Sequence, residues 1–274
     1  MCPFPVGANI PNDRPTPLII GHRGASALAP ENTLAAFRRA IDDGADGIEM
    51  DVRLANDNVA VVVHDADLIR TARISGKVGK MTSGQLSLVD VGTWFDLDSS
   101  NGSTSEFRGQ HIPTLDETLS FLGEYSGRIY IELKCKDSEV ESLTEAVARS
   151  LRLYGKEEQI IVKSFKLSVI PHIKRSCPKV TTAALFAPKI MTVLRKEKHM
   201  VKIAVDFGAD ELSVHYSLAT RKLMDKAQHR GLPVAIWTAD NPRWVKRALK
   251  LGVTAIITND PARLLKKRDE LLCR

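Results

Sequence analysis

The chain has 274 residues, 43% of them hydrophobic and 26% charged. That balance describes a soluble globular protein and excludes disordered and fibrous classes. A net charge of +6 with 5% aromatic residues and no long basic run argues against nucleic acid as partner and suits an anionic small molecule. Four scattered cysteines (Cys2, Cys135, Cys177, Cys273) without CxxC spacing exclude a disulfide framework or zinc cluster. No apolar run approaches the roughly 20 residues that span a bilayer, so no stable membrane insertion is expected. The opening MCPFPVGANIPNDRP has two early prolines and no apolar signal region, which makes a cytoplasmic protein the expectation.

In chain order, PLIIGH (17–22) reads as a strand. The stretch TLAAFRRAIDDG after it places Leu34, Phe37, Ala40 and Ile41 on one helical face. GIEMDVRL (47–54) is the second strand, and NVAVVVH (58–64) behind it is an added strand or hairpin. Residues 65–113 are rich in Ser, Gly, Thr and Asp and too long for a βα loop, so they form an insertion placed over whatever His64 serves. Trp94-Phe95 is expected to make that insertion's own small core. Helix LDETLSFLGEY (115–125) precedes strand RIYIELK (128–134), and a long amphipathic helix ends at Gly155. The alternation continues through QIIVKSF (159–165), KLSVIPHIKR, TTAALF (181–186), a basic helix around 190–204, and ELSVHY (211–216). TRKLMDKAQHRG, LPVAIWT (232–238), NPRWVKRALKLG, AIITN (255–259) and a helix from Pro261 complete it. Without the hairpin this makes eight strand–helix units in one domain, 1–274. Such strict alternation points to a (β/α)8 TIM barrel over an open doubly wound sheet.

In such a barrel the reactive groups stand at the C-terminal strand ends. His22 and Arg23 end the first strand. Glu49 and Asp51 lie two apart on the second and share a face, and Glu132 and Lys134 repeat that spacing. His64-Asp65 closes the run Val59–Val63. Three convergent carboxylates without a cation would raise one another's pKa values. A hard divalent ion removes that cost, and oxygen-only ligands suit Mg²⁺ or Ca²⁺. Alone, a Glu-x-Asp is ordinarily a solvated edge, and a strand-end histidine a structural hydrogen-bonding group. The conjunction, with Gly24 and Pro30-Glu31-Asn32-Thr33 behind the first histidine, carries the functional reading.

The segments HRGASALAPENT, GIEMDVRL, VVVHDADLIRT, SGKVGKMTSGQL, IPTLDETL, IYIELK, VAIWTADNP and AIITNDPARL resemble the glycerophosphodiester phosphodiesterase family, from about residue 17 to 266. The resemblance implies a TIM barrel with a small insertion after the second strand. It implies His22 and His64 as acid and base, and Glu49, Asp51 and Glu132 as ligands of a divalent cation. Arg23 and Lys134 match phosphate-holding positions, and Phe165 and Trp237 positions lining the alcohol pocket. Glu31 is expected either to orient Arg23 or simply to begin the first helix, and Asp65 either to position His64 or to bind its own backbone as a turn residue. His215 at its strand end reads as structural, and Cys135 as a neutral thiol. The family's reaction is attack on phosphorus, in many members first by the glycerol 2-hydroxyl, giving a cyclic phosphate that water opens.

The expected substrate is a small-molecule glycerophosphodiester, cleaved to glycerol 3-phosphate and an alcohol. A phospholipase D-like or lysophospholipid-cleaving enzyme on the same barrel is the alternative. It calls for a greasy groove that the polar tip DLDSSNGSTSEFRG does not offer. A non-catalytic phosphate-binding protein would have lost His22, His64 or a metal carboxylate, and none is missing. The run RTARISGKV lacks the second threonine common in the family, which bears on substrate preference.

Overall fold

The computed structural model describes residues 16–98, 106–188 and 197–273. The expectations for the first fifteen residues, for the tip of the polar segment at 99–105 and for the start of the basic helix at 190–196 fall outside the described residues. Nine strands form one sheet: β1 Leu18–His22, β2 Gly47–Leu54, β3 Ala60–Val62, β4 Arg128–Leu133, β5 Ile160–Ser164, β6 Thr181–Phe186, β7 Glu211–His215, β8 Val234–Trp237 and β9 Ala255–Thr258. Its order is β1-β9-β8-β7-β6-β5-β4-β2-β3, and β1 also pairs with β2. Eight parallel strands therefore close into a barrel. β3 is the expected added strand, antiparallel to β2 with Val52 opposite Val62. The long β2 serves two neighbours on one edge: Gly47–Glu49 pair with β1, and Val52–Leu54 with β3.

Among the described residues, eight helices wrap the barrel: α1 Leu34–Asp42, then, after three short helices of the insertion (α2 Ile69–Ala72, α3 Ser83–Leu86, α4 Thr93–Asp98), α5 Leu115–Phe121, α6 Val140–Tyr154, α7 Val169–Ser176, α8 Glu197–Asp206, α9 Arg221–Gln228, α10 Arg243–Leu251 and α11 Pro261–Leu272. Local chemistry sets their ends. The Thr33 hydroxyl caps α1 by accepting from Ala36 N at 3.2 Å, and Thr114 with Glu117 forms a capping box on α5. Gly155 closes α6 at φ +73°, a left-handed cap that costs a residue without Cβ nothing. Among the described residues no helix is long and apolar enough to cross a membrane.

Strand parity sorts the side chains. Ile48, Met50, Val52, Ile129, Ile131 and Leu133 point outward into a core shared with Phe37 of α1, Leu119 of α5 and Leu143 and Val147 of α6. A second outer core joins β6–β9 to α8–α11. The inward set at the lower end is small and apolar: Ile20, Tyr130, Ile161, Ala183, Ala235, Ala255 and Ile257. Each fully buried Ile or Leu stabilises by about 1.5–3 kcal/mol, so parity alone commits the chain to this closure. The insertion has its own core of Leu68, Val78, Leu86, Val89, Val91 and Ile112 packed on Val61 and Val63. Phe95 meets Trp94 and Phe107 edge to face at 5.7 and 5.5 Å.

One buried acid in the barrel interior makes stability depend on pH. Glu211 is 6% exposed and accepts from the Tyr130 hydroxyl at 3.2 Å. Burial pushes its carboxyl up to about 7. An acid raised above its unfolded value of about 4.3 costs nothing at low pH and destabilises as the pH climbs through its folded pKa. Thermal unfolding between pH 5 and 8 should therefore show a falling Tm. Glu211→Gln, which keeps the acceptor but cannot ionise, is expected to flatten that fall. An unchanged slope in this variant would assign it to other groups.

Candidate functional site

The candidate groups carried by the barrel strands or their immediate ends share one inward-facing parity at the C-terminal mouth, and Arg23, Glu31, His64 and Asp65 approach it from loops. In register, His22 stands opposite Glu49, Asp51 opposite Glu132 and Glu132 opposite Lys163. The turn after β1 shapes the rest. Gly24 has φ +82°, and a Cβ there would lie 2.5 Å from the Ala36 carbonyl. Only glycine lets the β1 turn seat against α1. Arg23 itself adopts φ +55°. Its backbone N–H donates to Glu49 Oε2 at 3.0 Å, and Nη1 donates to Glu31 Oε1 at 2.8 Å. Its Nε lies 3.0 Å from Asp51 Oδ2. Asn32 clasps Asp51 from both sides: its Nδ2 donates to Oδ2 at 3.0 Å, and its Oδ1 accepts from the Asp51 backbone N–H at 3.1 Å.

Glu49 and Asp51 are fully buried and Glu132 is 7% exposed. One ligand oxygen from each lies within 4.8 Å of the others. Lysines surround them. Lys134 hydrogen-bonds Glu132 and sits 3.2 Å from Asp51 Oδ1, and Lys163 sits 2.9 Å from Glu49 Oε1 and 4.0 Å from Glu132 Oε2. The expectation that three convergent carboxylates raise one another's pKa does not hold here. Burial pushes Glu49 and Asp51 upward, but Lys163 and His22 outweigh it at Glu49, and Lys134 and Arg23 at Asp51, so both are lowered from their ordinary values, Asp51 strongly. Glu49 Oε1 and Asp51 Oδ1 are buried and meet only a lysine ammonium each, Lys163 and Lys134, with no further donor. Converging oxygen-only donors of this kind, with positive charge as their counterpart, fit a hard divalent cation.

Each histidine is held at Nδ1. His22 Nδ1 lies 2.6 Å from Asn259 Oδ1, and the Asn259 amide is oriented by donating Nδ2 to Asp240 Oδ2 at 2.8 Å. His22 therefore donates through Nδ1, and its Nε2, 4.0 Å from Glu49 Oε2, faces the carboxylates. His64 Nδ1 lies 2.7 Å from Asp65 Oδ1. Asp65 in turn accepts from Arg70 Nε at 2.7 Å, and Arg70 grips Glu31 through both terminal nitrogens at 2.8 and 2.7 Å. Arg70 of α2 thus ties the insertion to the partners of both Arg23 and His64. Burial, with Arg23 and Lys134, pulls the His64 pKa below the usual histidine value, against the pull of Asp51 and Asp65.

An aromatic wall stands across the mouth. Trp237 meets Phe165 edge to face at 5.5 Å and His215 at 5.6 Å. His215 Nδ1 lies 2.8 Å from Ser217 Oγ. Burial pushes the Cys135 thiol up to about 11, so it is neutral at physiological pH.

All eleven residues singled out from the sequence thus lie around this mouth: His22, Arg23, Glu31, Glu49, Asp51, His64, Asp65, Glu132, Lys134, Phe165 and Trp237. Sequence reasoning missed Lys163 and assigned no role to Arg70, Asn32, Asp240 or Asn259, although those four lie in the segments that carry the resemblance. Lys163 had a signal, a lysine at inward parity inside the apolar strand QIIVKSF. The others act across turns whose partners are not adjacent in sequence.

A parallel barrel carrying ionised carboxylates, two histidines and several cations at its C-terminal mouth is built to receive a phosphate ester. Residues 22–263 match the model of the glycerophosphoryl diester phosphodiesterase family, and the chain belongs to that family. It is 32% identical over 248 residues to a glycerophosphodiester phosphodiesterase of Caldanaerobacter subterraneus subsp. tengcongensis, covering 90% of this chain and 96% of that one. A glycerophosphodiester phosphodiesterase structure from Agrobacterium tumefaciens superposes with a TM-score of 0.74 at 26% identity, covering 91% and 99% of the two chains. The fold is also that of an Oleispira antarctica phosphodiesterase solved with sn-glycerol-3-phosphate (TM-score 0.80, 24% identity, 93% and 97% covered).

Proposed function

We propose that this protein hydrolyses glycerophosphodiesters to glycerol 3-phosphate and an alcohol, with Glu49, Asp51 and Glu132 holding a divalent cation, Mg²⁺ or Ca²⁺. The observation that carries this reading is the convergence of three carboxylates, two of them fully buried and held ionised by Lys163, Lys134 and Arg23, with two histidines at the same mouth. When bound, the cation supplies charge neutralisation at the non-bridging phosphate oxygens. Arg23 and Lys134 bind the same oxygens, Arg23 as a fork pre-set by Glu31. His22, held at Nδ1 by Asn259, presents Nε2 to the attacking hydroxyl and takes its proton. His64, backed by the carboxylate of Asp65, stabilises the imidazolium and gives its proton to the leaving alcohol oxygen as the P–O bond breaks. A bound diester neutralises Arg23 and Lys134, two of the influences that depress His64, and so favours its charged form.

Trp237, backed edge to face by Phe165, packs against the glycerol carbons. Trp237→Ala is accordingly expected to raise KM by roughly tenfold with little change in kcat, the mark of lost uniform binding. A fall in kcat with KM unchanged would move Trp237 out of the binding wall. The test of the function is incubation with several glycerophosphodiesters, with and without EDTA, and measurement of glycerol 3-phosphate. The insertion beside the mouth favours short water-soluble diesters. Faster cleavage of lysophosphatidylcholine in vesicles than of glycerophosphocholine, at matched phosphate, would make the lysophospholipid reading the better one.

A further inference from the structure

Beside the carboxylates, a cavity of about 470 Å³ opens between the insertion and the ends of β4 and β5. That volume lies in the range of small-ligand pockets. Six cationic side chains line it, Arg53, Lys77, Lys80, Lys134, Lys136 and Lys166, against two acidic ones, Glu132 and Glu139. Some of this charge is already engaged. Lys134 belongs to the carboxylate cluster, Lys166 pairs with Asp137 at 2.7 Å, and Arg53 Nε donates to the His64 carbonyl at 2.8 Å. Lys77, Lys80 and Lys136 are exposed and form no ion pair among the described residues.

Their placement is built. Lys77 and Lys80 flank Val78, which is 1% exposed in the core of the insertion. The Val78 N–H donates to the Ala66 carbonyl at 3.0 Å, and Met81 O accepts from Asn56 N at 2.9 Å. The turn is thereby pinned to the segment that follows His64. Ala66, also in the cavity wall, is two residues beyond His64. The cavity thus takes in Glu132 and Lys134 and runs between Phe165 and the backbone that follows His64, where Ala66 and Arg53, the latter bound to the His64 carbonyl, form its wall. Unpaired lysines gathered around one concave, partly desolvated space raise the local concentration of anions and reject cations.

We infer that this cavity is the leaving-alcohol subsite, and that it selects glycerophosphodiesters whose alcohol carries its own anionic group, a phosphate or a carboxylate, over those with a cationic or neutral alcohol. The inference rests on the phosphodiesterase reading for its orientation: phosphate at Arg23 and Lys134, glycerol toward Trp237, alcohol past His64. Specificity then comes from charge on the far side of the scissile bond, contributed largely by the insertion.

A matched substrate pair isolates that charge. Glycerophosphoinositol 4-phosphate and glycerophosphoinositol differ by one phosphate on the same alcohol. The wild-type kcat/KM should favour the phosphorylated diester by at least about tenfold, in line with an added charge-assisted contact of roughly 1.5 kcal/mol or more. In the combined variant Lys77→Ala, Lys80→Ala, Lys136→Ala the ratio should fall to near one, while glycerophosphoinositol and glycerophosphocholine change by less than about threefold. Direct binding separates this inference from the activity. Inositol 4-phosphate, the released alcohol, should bind the wild type in calorimetry and lose at least about tenfold in the triple variant. A wild-type ratio near one, or a ratio the variant retains, overturns the anionic preference. If none of the diesters is cleaved yet inositol 4-phosphate binds and the variant loses it, the subsite stands and the phosphodiesterase reading falls. No binding and no preference removes the subsite.

Discussion

Freed of divalent cations, the protein is expected to lose turnover altogether, and Glu132→Gln should lose it by about a thousandfold or more while remaining folded. Lewis-acid stabilisation of a transferring phosphoryl group is worth several kcal/mol, and each 1.36 kcal/mol is tenfold in rate. Glu132 is the better probe among the three ligands because it is the most exposed and its partner Lys134 keeps Asp51. Asp51→Asn is the worse probe, because Asp51 is completely buried between Arg23, Lys134 and Asn32. Removing its charge leaves buried cations uncompensated, a loss on the order of 3–5 kcal/mol, so lost activity there would mix chemistry with unfolding. The measurement is turnover in EDTA with elemental analysis, joined to the rise in Tm when Mg²⁺ or Ca²⁺ is added. Wild type should show that rise and Glu132→Gln should not. Full activity from protein shown to hold no ion would end the metal assignment.

Replacing His64 with alanine should cost at least about a hundredfold on a diester with an alkyl leaving group, the usual contribution of a general acid. On an activated aryl diester the same variant should lose far less, because a phenolate departs without a proton. His22→Ala should lose comparably on both substrates, since the attacking hydroxyl needs a base whichever group leaves. The kcat/KM of the wild type should follow a bell in pH. Equal losses on the two substrates for His64→Ala would reverse the assignment of acid and base. Near-normal turnover of the alkyl diester would remove His64 from catalysis.

Much of this site was legible because a strand imposes a period of two. Glu49 and Asp51, or Glu132 and Lys134, announce a shared face wherever they sit on a strand. The barrel that aligns the faces follows from eight apolar strand–helix units. What stayed hidden depends on closure. Lys163 joins Glu49 only because β4 lies between β2 and β5 in register. Asn259 reaches His22 only because β9 returns to pair with β1. Arg70 bridges Glu31 and Asp65 through the path of the insertion, which no local pattern encodes. The pKa directions were hidden for the same reason. Carboxylates counted alone predict mutual repulsion, whereas the packed site sets Arg23, Lys134 and Lys163 among them.

The insertion leaves and rejoins the barrel at almost one point: Val62 N donates to Pro113 O at 2.8 Å, and Val61 bridges Thr114. Because the barrel holds those two ends together, it has already met the entropy of closing the loop, and that cost grows only slowly with loop length. The segment between them can therefore lengthen, shorten or be exchanged without opening the sheet, provided the arginine latch to Glu31 and Asp65 survives. Exchange of this segment would leave the carboxylates and His22 on the barrel untouched. A chimera carrying a foreign segment here becomes a practical route to a new leaving-group preference.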